Sequence, residues 1–181
     1  MKKILYLCDK NTYNSKMSRV RFHGIEKLGE VANVTWTGPG WKQYNNSLSV
    51  QDNIEQLFPN QQFDLVVAYN GKDLKDFSKV TYPTCIRYNE MYDKKITFND
   101  IMLLKPNIVI CHHHNDFLEY EQLFKSFNLF PVKFFNIPHS AEKTIFKDYG
   151  EEKKYDLMIG GAIGVRSSLG QHYPLRDRFR S

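Results

Sequence analysis

The chain has 181 residues, of which 41% are hydrophobic and 14% aromatic, and its formal net charge at pH 7 is +5. This length fits one full domain plus part of another, and the apolar content argues against a wholly disordered chain. The basic excess is small and interleaved with acidic residues, so we expect no specific nucleic-acid binding; it suits anionic small ligands such as nucleotide diphosphates.

The three cysteines, Cys8, Cys85 and Cys111, each lie in or at the end of an apolar run. This pattern is typical of buried free thiols, and the odd number argues against a disulfide framework. The first apolar run is too short for a signal peptide, and no run approaches the roughly 18 apolar residues of a membrane span. The sequence therefore predicts a cytoplasmic protein with no transmembrane segment.

Short apolar runs alternate with amphipathic stretches along the chain. The runs predict strands at residues 4–8, 31–37, 63–69, 84–88, 107–111 and 132–136. The amphipathic stretches predict helices at residues 15–28, 49–58, 74–77, 97–104 and 116–128, with Ser49 and Thr97 as N-caps. Continuous apolar strands that alternate with helices indicate βαβ units. The predicted fold class is therefore α/β, with a Rossmann-like doubly wound parallel sheet.

A second α/β unit is predicted to begin near the end of the sequence. Residues 155–159 read as a strand, a Gly-Gly turn follows at Gly160 and Gly161, and a helix pattern begins near Tyr173. We therefore predict a first domain at residues 1–138, a connector at 139–153, and the truncated beginning of a second Rossmann-like domain at 154–181.

Ligands of an open α/β sheet bind at the carboxyl ends of its strands, near a switch in strand order. The rule selects the polar or glycine-rich residues that follow each predicted strand, namely 9–11, 38–41, 70–72, 89–90 and 112–116.

The three consecutive histidines admit three interpretations. On an extended segment His112 and His114 share a face, and with Asp116 they could form a metal site. Alternatively, a histidine at a strand end could donate a hydrogen bond or act as a general base in a cleft, or play a structural role. No further cluster of matching ligands follows elsewhere in the sequence, and we expect no bound metal.

Two other strand ends carry candidate substrate contacts. Glu90 could act as base for an acceptor hydroxyl, although a pair with Arg87 or a helix cap would also explain it. The turn at residues 38–41 places Trp41 where a sugar ring could stack on it, and a plain tight turn explains the same residues.

The turn at Gly160 and Gly161 follows a strand and precedes a helix pattern. Such a turn lets backbone N–H groups approach a phosphate, and Arg166 or Arg176 would add positive charge. The spacing is neither a full dinucleotide-binding fingerprint nor a Walker A motif.

Taken together, these segments resemble the GT-B type of glycosyltransferase, near the spore-coat CgeB-like and giant-virus-like group. The resemblance covers most of the chain in order. Its residues are 38–41 (GPGW), 88–90 (YNE), 110–113 (ICHH), 137–140 (IPHS), 146–149 (FKDY), 154–156 (KYD), 160–161 (GG) and 173–176 (YPLR).

The resemblance implies two Rossmann-like domains across a cleft, and transfer of a sugar from a nucleotide-sugar donor to a sugar or glycan acceptor without a metal cofactor. Residues 1–138 would hold the acceptor, and 154–181 would begin the donor-nucleotide domain. Combined with the strand-end residues, this predicts catalytic roles for His112 and Glu90. The predicted substrate contacts are Trp41, Asn89, His113, His114 and His139. The predicted donor-phosphate contacts are Gly160, Gly161, Arg166 and Arg176.

Two alternatives remain open from the sequence. Most of the donor domain lies outside these 181 residues, so the expected partner is the remaining C-terminal domain or a partner chain. The chain would otherwise be a non-catalytic Rossmann-like binding domain that acts with a partner chain. The other alternative is a metal-dependent hydrolase that uses His112, His114 and Asp116.

Overall fold

The computed structural model describes residues 1–14, 27–69, 71, 74–88, 91, 93–138 and 150. The chain divides into two compact units, Met1–Glu142 and Lys143–Ser181, and every element described below belongs to the first. The predicted connector and second-domain segments lie outside the described residues apart from Gly150. The predicted domain boundaries therefore stay predictions.

The first unit is built on a six-stranded sheet in which all neighbouring strands run parallel. The strands are β1 (Lys3–Leu7), β2 (Asn33–Thr37), β3 (Leu65–Tyr69), β4 (Thr84–Tyr88), β5 (Ile108–Cys111) and β6 (Lys133–Asn136). Their spatial order is β2-β1-β3-β4-β5-β6. The predicted α/β class with a Rossmann-like doubly wound parallel sheet is confirmed.

Helical segments connect the strands. The helices are α1 (Lys10–Asn14), α2 (Val50–Leu57), α3 (Lys94–Leu104) and α4 (His114–Ser126), joined by a 3-10 turn at Phe77–Lys79. Residues 27–31 are also helical. Most of the predicted helix at residues 15–28 lies outside the described residues. No helix in the described part of the chain is long and apolar enough to cross a membrane.

Alternation of side chains gives the sheet two buried faces. On the first, which we call face A, Leu5, Val66 and Ile86 pack with the connections that follow β2, β3 and β4, and Val109 packs with Tyr120 of α4. On the second, which we call face B, Tyr6 packs with buried side chains of neighbouring strands and with Tyr13 of α1. Connections on both faces are what a doubly wound sheet requires.

Some predicted boundaries are correct and others are wrong. Ser49 is the N-cap of α2 and forms a capping box with Asp52, as its position before an apolar run predicts. Thr97 is not an N-cap: α3 begins at Lys94, the Asp93 side chain accepts from the Ile96 N–H, and Thr97 is buried inside the helix. A carboxylate one turn earlier therefore replaces the hydroxyl as the cap.

Two further boundaries shift by a few residues. Val31, predicted to open a strand, is still helical, and β2 begins at Asn33. Helix α4 begins at His114 rather than at Asp116. The residues after β5 are therefore not an extended segment, and the assumption that His112 and His114 share a strand face is wrong.

Candidate functional site

The strand order changes direction between β1 and β3, because the chain passes from β1 to β2 on one side and then returns to β3 on the other. Ligands of doubly wound sheets bind in the crevice outside the strand ends at such a switch point. A cavity of about 260 Å³ lies there. It is lined by Leu7, Cys8, Asp9, Thr12, Pro39, Tyr69 and Leu74. We call it the switch-point crevice.

Asp9 is one of the residues that line this crevice, and it caps the first turn of α1. Its Oδ1 accepts hydrogen bonds from the N–H groups of Asn11 at 2.8 Å and Thr12 at 3.1 Å. These bonds satisfy amide donors that a helix start leaves unpaired, and the carboxylate complements the positive end of the helix. The position that would bind a phosphate in many Rossmann-like proteins is therefore occupied by a negative side chain.

The turn at residues 38–41 forms the neighbouring wall. Cys8 N–H donates to the Thr37 carbonyl at 2.9 Å, and Lys10 N–H donates to the Pro39 carbonyl at 2.9 Å. Gly38 has a φ of +139°, and a Cβ at this position would lie 2.7 Å from the Cys8 carbonyl oxygen. Glycine is thus required here by both backbone conformation and space.

Trp41, predicted to stack on a sugar, contacts other residues of the protein, Cys8 and Tyr13. Its indole N–H donates to the Cys8 carbonyl at 2.7 Å, and the edge of its ring meets Tyr13 with the centroids 5.1 Å apart. The side chain is partly buried and is not among the residues that line the crevice. Its observed role is to fasten the turn to the end of β1.

Asn53 of α2 holds the following loop in place. The side chain is 1% exposed, accepts from the Asn45 N–H at 2.8 Å, and donates to the carbonyls of Asn45 and Ser49, each at 2.9 Å. A buried amide with these bonds fixes the loop because each lost bond would leave a buried polar group unpaired. No sequence motif marked this residue.

His112 lies buried just after β5, with both ring nitrogens bonded to protein. Nδ1 is 2.6 Å from the Ile137 carbonyl oxygen, and Nε2 is 2.9 Å from Nε of Arg87. Because the carbonyl can only accept, Nδ1 carries the proton, and Nε2 then accepts from Arg87. In this arrangement the ring links β4 to the chain segment that follows β6. Its Nε2 could act as a base only after Arg87 moves away. Its catalytic role stays a prediction.

His113 and His114 point elsewhere. Both are exposed at the start of α4, and the His114 ring lies 5.9 Å from the ring of Phe117. Across residues 1–14, 27–69 and the other described positions, no set of three His, Cys, Asp or Glu side chains is placed to hold a metal ion. His112, His114 and Asp116 are all described, so the trio of the hydrolase hypothesis does not converge.

The three thiols are poorly suited to nucleophilic chemistry. Burial raises the pKa of Cys8 to about 11, and it raises the pKa of Cys85 and of Cys111 to about 12. A thiol with so high a pKa carries almost no thiolate at neutral pH, and the thiolate is the nucleophile. All three are free in the structure, as the sequence predicted.

The predicted site residues that the structure describes, Trp41, His112, His113 and His114, are not brought into one place. The crevice lies at β1 and β3, while His112 lies at β5, which is three strand spacings, or about 14 Å, from β1. Asn89, Glu90, His139, Gly160, Gly161, Arg166 and Arg176 lie outside the described residues, and their roles stay predictions. The strand-end rule did select Asp9, but no motif distinguished it from the other strand-end residues.

Comparison with known proteins adds no relative: no protein-family model matches the chain, and no curated protein matches it significantly.

Proposed function

We propose that this chain is the acceptor-side domain of a glycosyltransferase, and that the switch-point crevice holds a sugar of the acceptor. The resemblance of the ordered motifs to GT-B glycosyltransferases suggested this function. The observation that supports it best is the crevice itself, which combines a carboxylate, a hydroxyl side chain and an aromatic ring at the strand ends. A sugar ring offers hydroxyl donors for the carboxylate and an apolar face for the aromatic ring.

The size and charge of the crevice favour a neutral ring over a nucleotide. Its volume of about 260 Å³ is below the roughly 300–1,000 Å³ of pockets that bury drug-sized ligands. Asp9 places negative charge where a diphosphate would have to bind, and its Oδ1 already occupies the start of α1. In the proposed role, Oδ2 of Asp9 accepts a hydrogen bond from an acceptor hydroxyl and can take its proton during transfer.

A variant with an intact helix cap tests the role of Asp9. Asn caps helices about as well as Asp, so Asp9→Asn removes the charge and keeps the bonds to the first turn of α1. The matched control is Asp64→Asn at the amino end of the sheet, where Asp64 accepts from Lys2 Nζ at 2.7 Å and from Lys3 N–H at 2.8 Å.

The experiment is an NMR titration of the chain with a panel of monosaccharides and, separately, nucleotide sugars. We expect at least one sugar to shift the amide signals of Gly40 and Tyr69, and Asp9→Asn to weaken its binding about tenfold, the usual value of a hydrogen bond to a charged group. Asp64→Asn should bind as the unaltered chain does. With a donor domain present, Asp9→Asn should also slow release of nucleoside diphosphate from the donor.

Two results would contradict the proposal. If no sugar perturbs the crevice, or if Asp9→Asn leaves sugar affinity unchanged, the crevice is not an acceptor site. If nucleotides bind there and sugars do not, the non-catalytic Rossmann-like binding domain becomes the better description.

A further inference from the structure

Strand β6 lies at one edge of the described sheet and pairs there with β5 alone. The N–H groups of Lys133 and Ile137 donate to carbonyls at the two ends of β5, each at 2.9 Å. In a parallel ladder the residues between such bonded positions direct their N–H and C=O groups to the other side. Phe134 and Asn136 therefore present backbone donors and acceptors at the free edge, where no described strand pairs with them.

A cavity of about 690 Å³ lies along this free edge. Its described lining comes from one side of the last turns of α4, from the loop at residues 128–132, and from the first three residues of β6. Phe134 and Phe135 both line it, although successive side chains of a strand lie on opposite faces, and no described lining residue belongs to β5. The cavity therefore reaches around the free edge of β6. We call it the edge groove.

The edge groove has an aromatic floor. On face A, Phe124 of α4 and Phe134 are each 5% exposed, with ring centroids 5.3 Å apart, and the ring of Phe130 lies 5.6 Å from that of Phe124. On face B, Phe135 is 48% exposed and Ile137 is 50% exposed. Sheet edges that must stay unpaired are usually short of exposed apolar side chains, so this edge has the character of an interaction site.

The charges of the groove favour an acidic occupant. Lys125 and Glu121 of α4 already form an ion pair at 3.2 Å, so the remaining charged side chain of the described lining is the exposed Lys133 on face B. A second copy of this chain would bring its own Lys133 and a net charge of +5 to the same edge. A lysine on an edge strand disfavours pairing with such a copy, whereas it complements a negatively charged segment.

We propose that the edge groove binds an extended acidic segment of another protein, which adds to β6 as a further strand. The outward groups of Phe134 and Asn136 are two residues apart, about 6.6 Å along a strand, which matches the repeat of an extended peptide. Alternate apolar side chains of the segment would contact the aromatic floor on face A, and the acidic ones between them would face Lys133 on face B. This site lies apart from the switch-point crevice and does not depend on the proposed transferase function.

The experiment titrates the whole chain with two blocked heptapeptides, one of alternating valine and glutamate and one of alternating valine and lysine. NMR measures chemical shifts and the rates at which amide protons exchange with solvent. We expect the glutamate peptide to slow exchange at Phe134 and Asn136, while Lys133 and Ile137, already bonded to β5, change little. The lysine peptide should bind about fivefold more weakly, the usual scale of an exposed charge pair.

A charge reversal assigns the preference to one side chain. Lys133→Glu should reverse it, so that the lysine peptide binds more tightly than the glutamate peptide. The matched control is Lys42→Glu, an exposed lysine that follows β2 at the opposite edge of the sheet, and it should keep the preference for glutamate.

Two methylated peptides test the backbone pairing itself. The glutamate peptide is made with methyl groups on all valine nitrogens or on all glutamate nitrogens. In an added strand only one of these two sets of N–H groups faces β6, because the direction of N–H groups alternates along a strand. One methylated peptide should therefore lose binding and the other should keep it.

Four results would overturn the proposal. The first is that neither parent peptide slows exchange at Phe134 and Asn136. The second is that the two methylated peptides bind equally well or equally badly, and the third is that Lys133→Glu leaves the charge preference unchanged. The fourth is a dimer in sedimentation with those two amides protected before any peptide is added, which would make a second copy the occupant. Should Lys133→Glu fail to fold, the methylated peptides still decide. A failure here leaves the crevice test untouched, since that test reads Asp9 and neutral sugars.

Discussion

Gly38 is the position where a single added methyl group should damage the fold most directly. Its φ of +139° is rare for residues with a side chain, and a Cβ there would meet the oxygen, nitrogen and carbon of Cys8 at 2.7, 3.0 and 3.1 Å. All three atoms are backbone of a buried strand end, so no flexible side chain can move away. Gly38→Ala therefore either strains the turn or pushes it off β1.

The cost of Gly38→Ala can be worked out from these contacts. A strained backbone conformation costs about 1–3 kcal/mol, and overpacking in a filled site costs a further 1–3 kcal/mol. Moving the turn away instead would break the bond from Cys8 N–H to Thr37 and the bond from Trp41 Nε1 to the Cys8 carbonyl. We expect a loss of about 2–6 kcal/mol in the free energy of unfolding, a large share of the usual 5–15 kcal/mol.

Urea unfolding measures this loss, followed by circular dichroism and by the fluorescence of Trp36 and Trp41. Gly29→Ala is the matched control. It lies in the helical residues 27–31, nothing is within 4 Å of a Cβ built there, and alanine should leave stability unchanged or raise it by about 0.5–1 kcal/mol. If the two variants unfold at the same urea concentration, the argument from close approach is wrong.

Two other changes test the scaffold around the crevice. Asn53→Ala should lower the free energy of unfolding, measured in urea, by about 1–3 kcal/mol, because it leaves the backbone of Asn45 unpaired. The control Glu55→Ala, on the exposed side of α2, should lower it by only about 0.5 kcal/mol or less. Equal effects of the two changes would contradict the role of the Asn53 amide. Two hydrogen bonds lower the pKa of Asp64 below its ordinary value of 3.8. The bond from the Lys2 side chain has the larger effect, and the bond from Lys3 N–H has the smaller one. A carboxyl with a lowered pKa stabilises the fold above its unfolded-state pKa and loses that effect as pH falls through its folded value. Acid unfolding should therefore be less steep in Asp64→Asn, and an unchanged pH profile would show that the pairing has no energetic effect.

The sequence by itself determined the kind of fold. Continuous apolar runs such as Ile108–Cys111 are long enough for buried strands and too short for helices, and their alternation with amphipathic stretches leaves a parallel sheet as the consistent arrangement. The cap at Ser49 was also predictable, because a capping box depends on residues three apart. The start of α3 was not, since Asp93 and Thr97 are both good caps and the packing of Ile101 and Leu104 on face A selects between them.

The site depended on tertiary structure. Local pattern marked Trp41 and His112 as the most distinctive polar or aromatic residues, yet the fold uses Trp41 to hold a turn against Cys8 and His112 to link Arg87 with Ile137. Side-chain periodicity reports which face a residue occupies, but hydrogen-bond partners come from strands and loops distant in sequence. Only the folded sheet, with β1 set between β2 and β3, decides which polar groups meet.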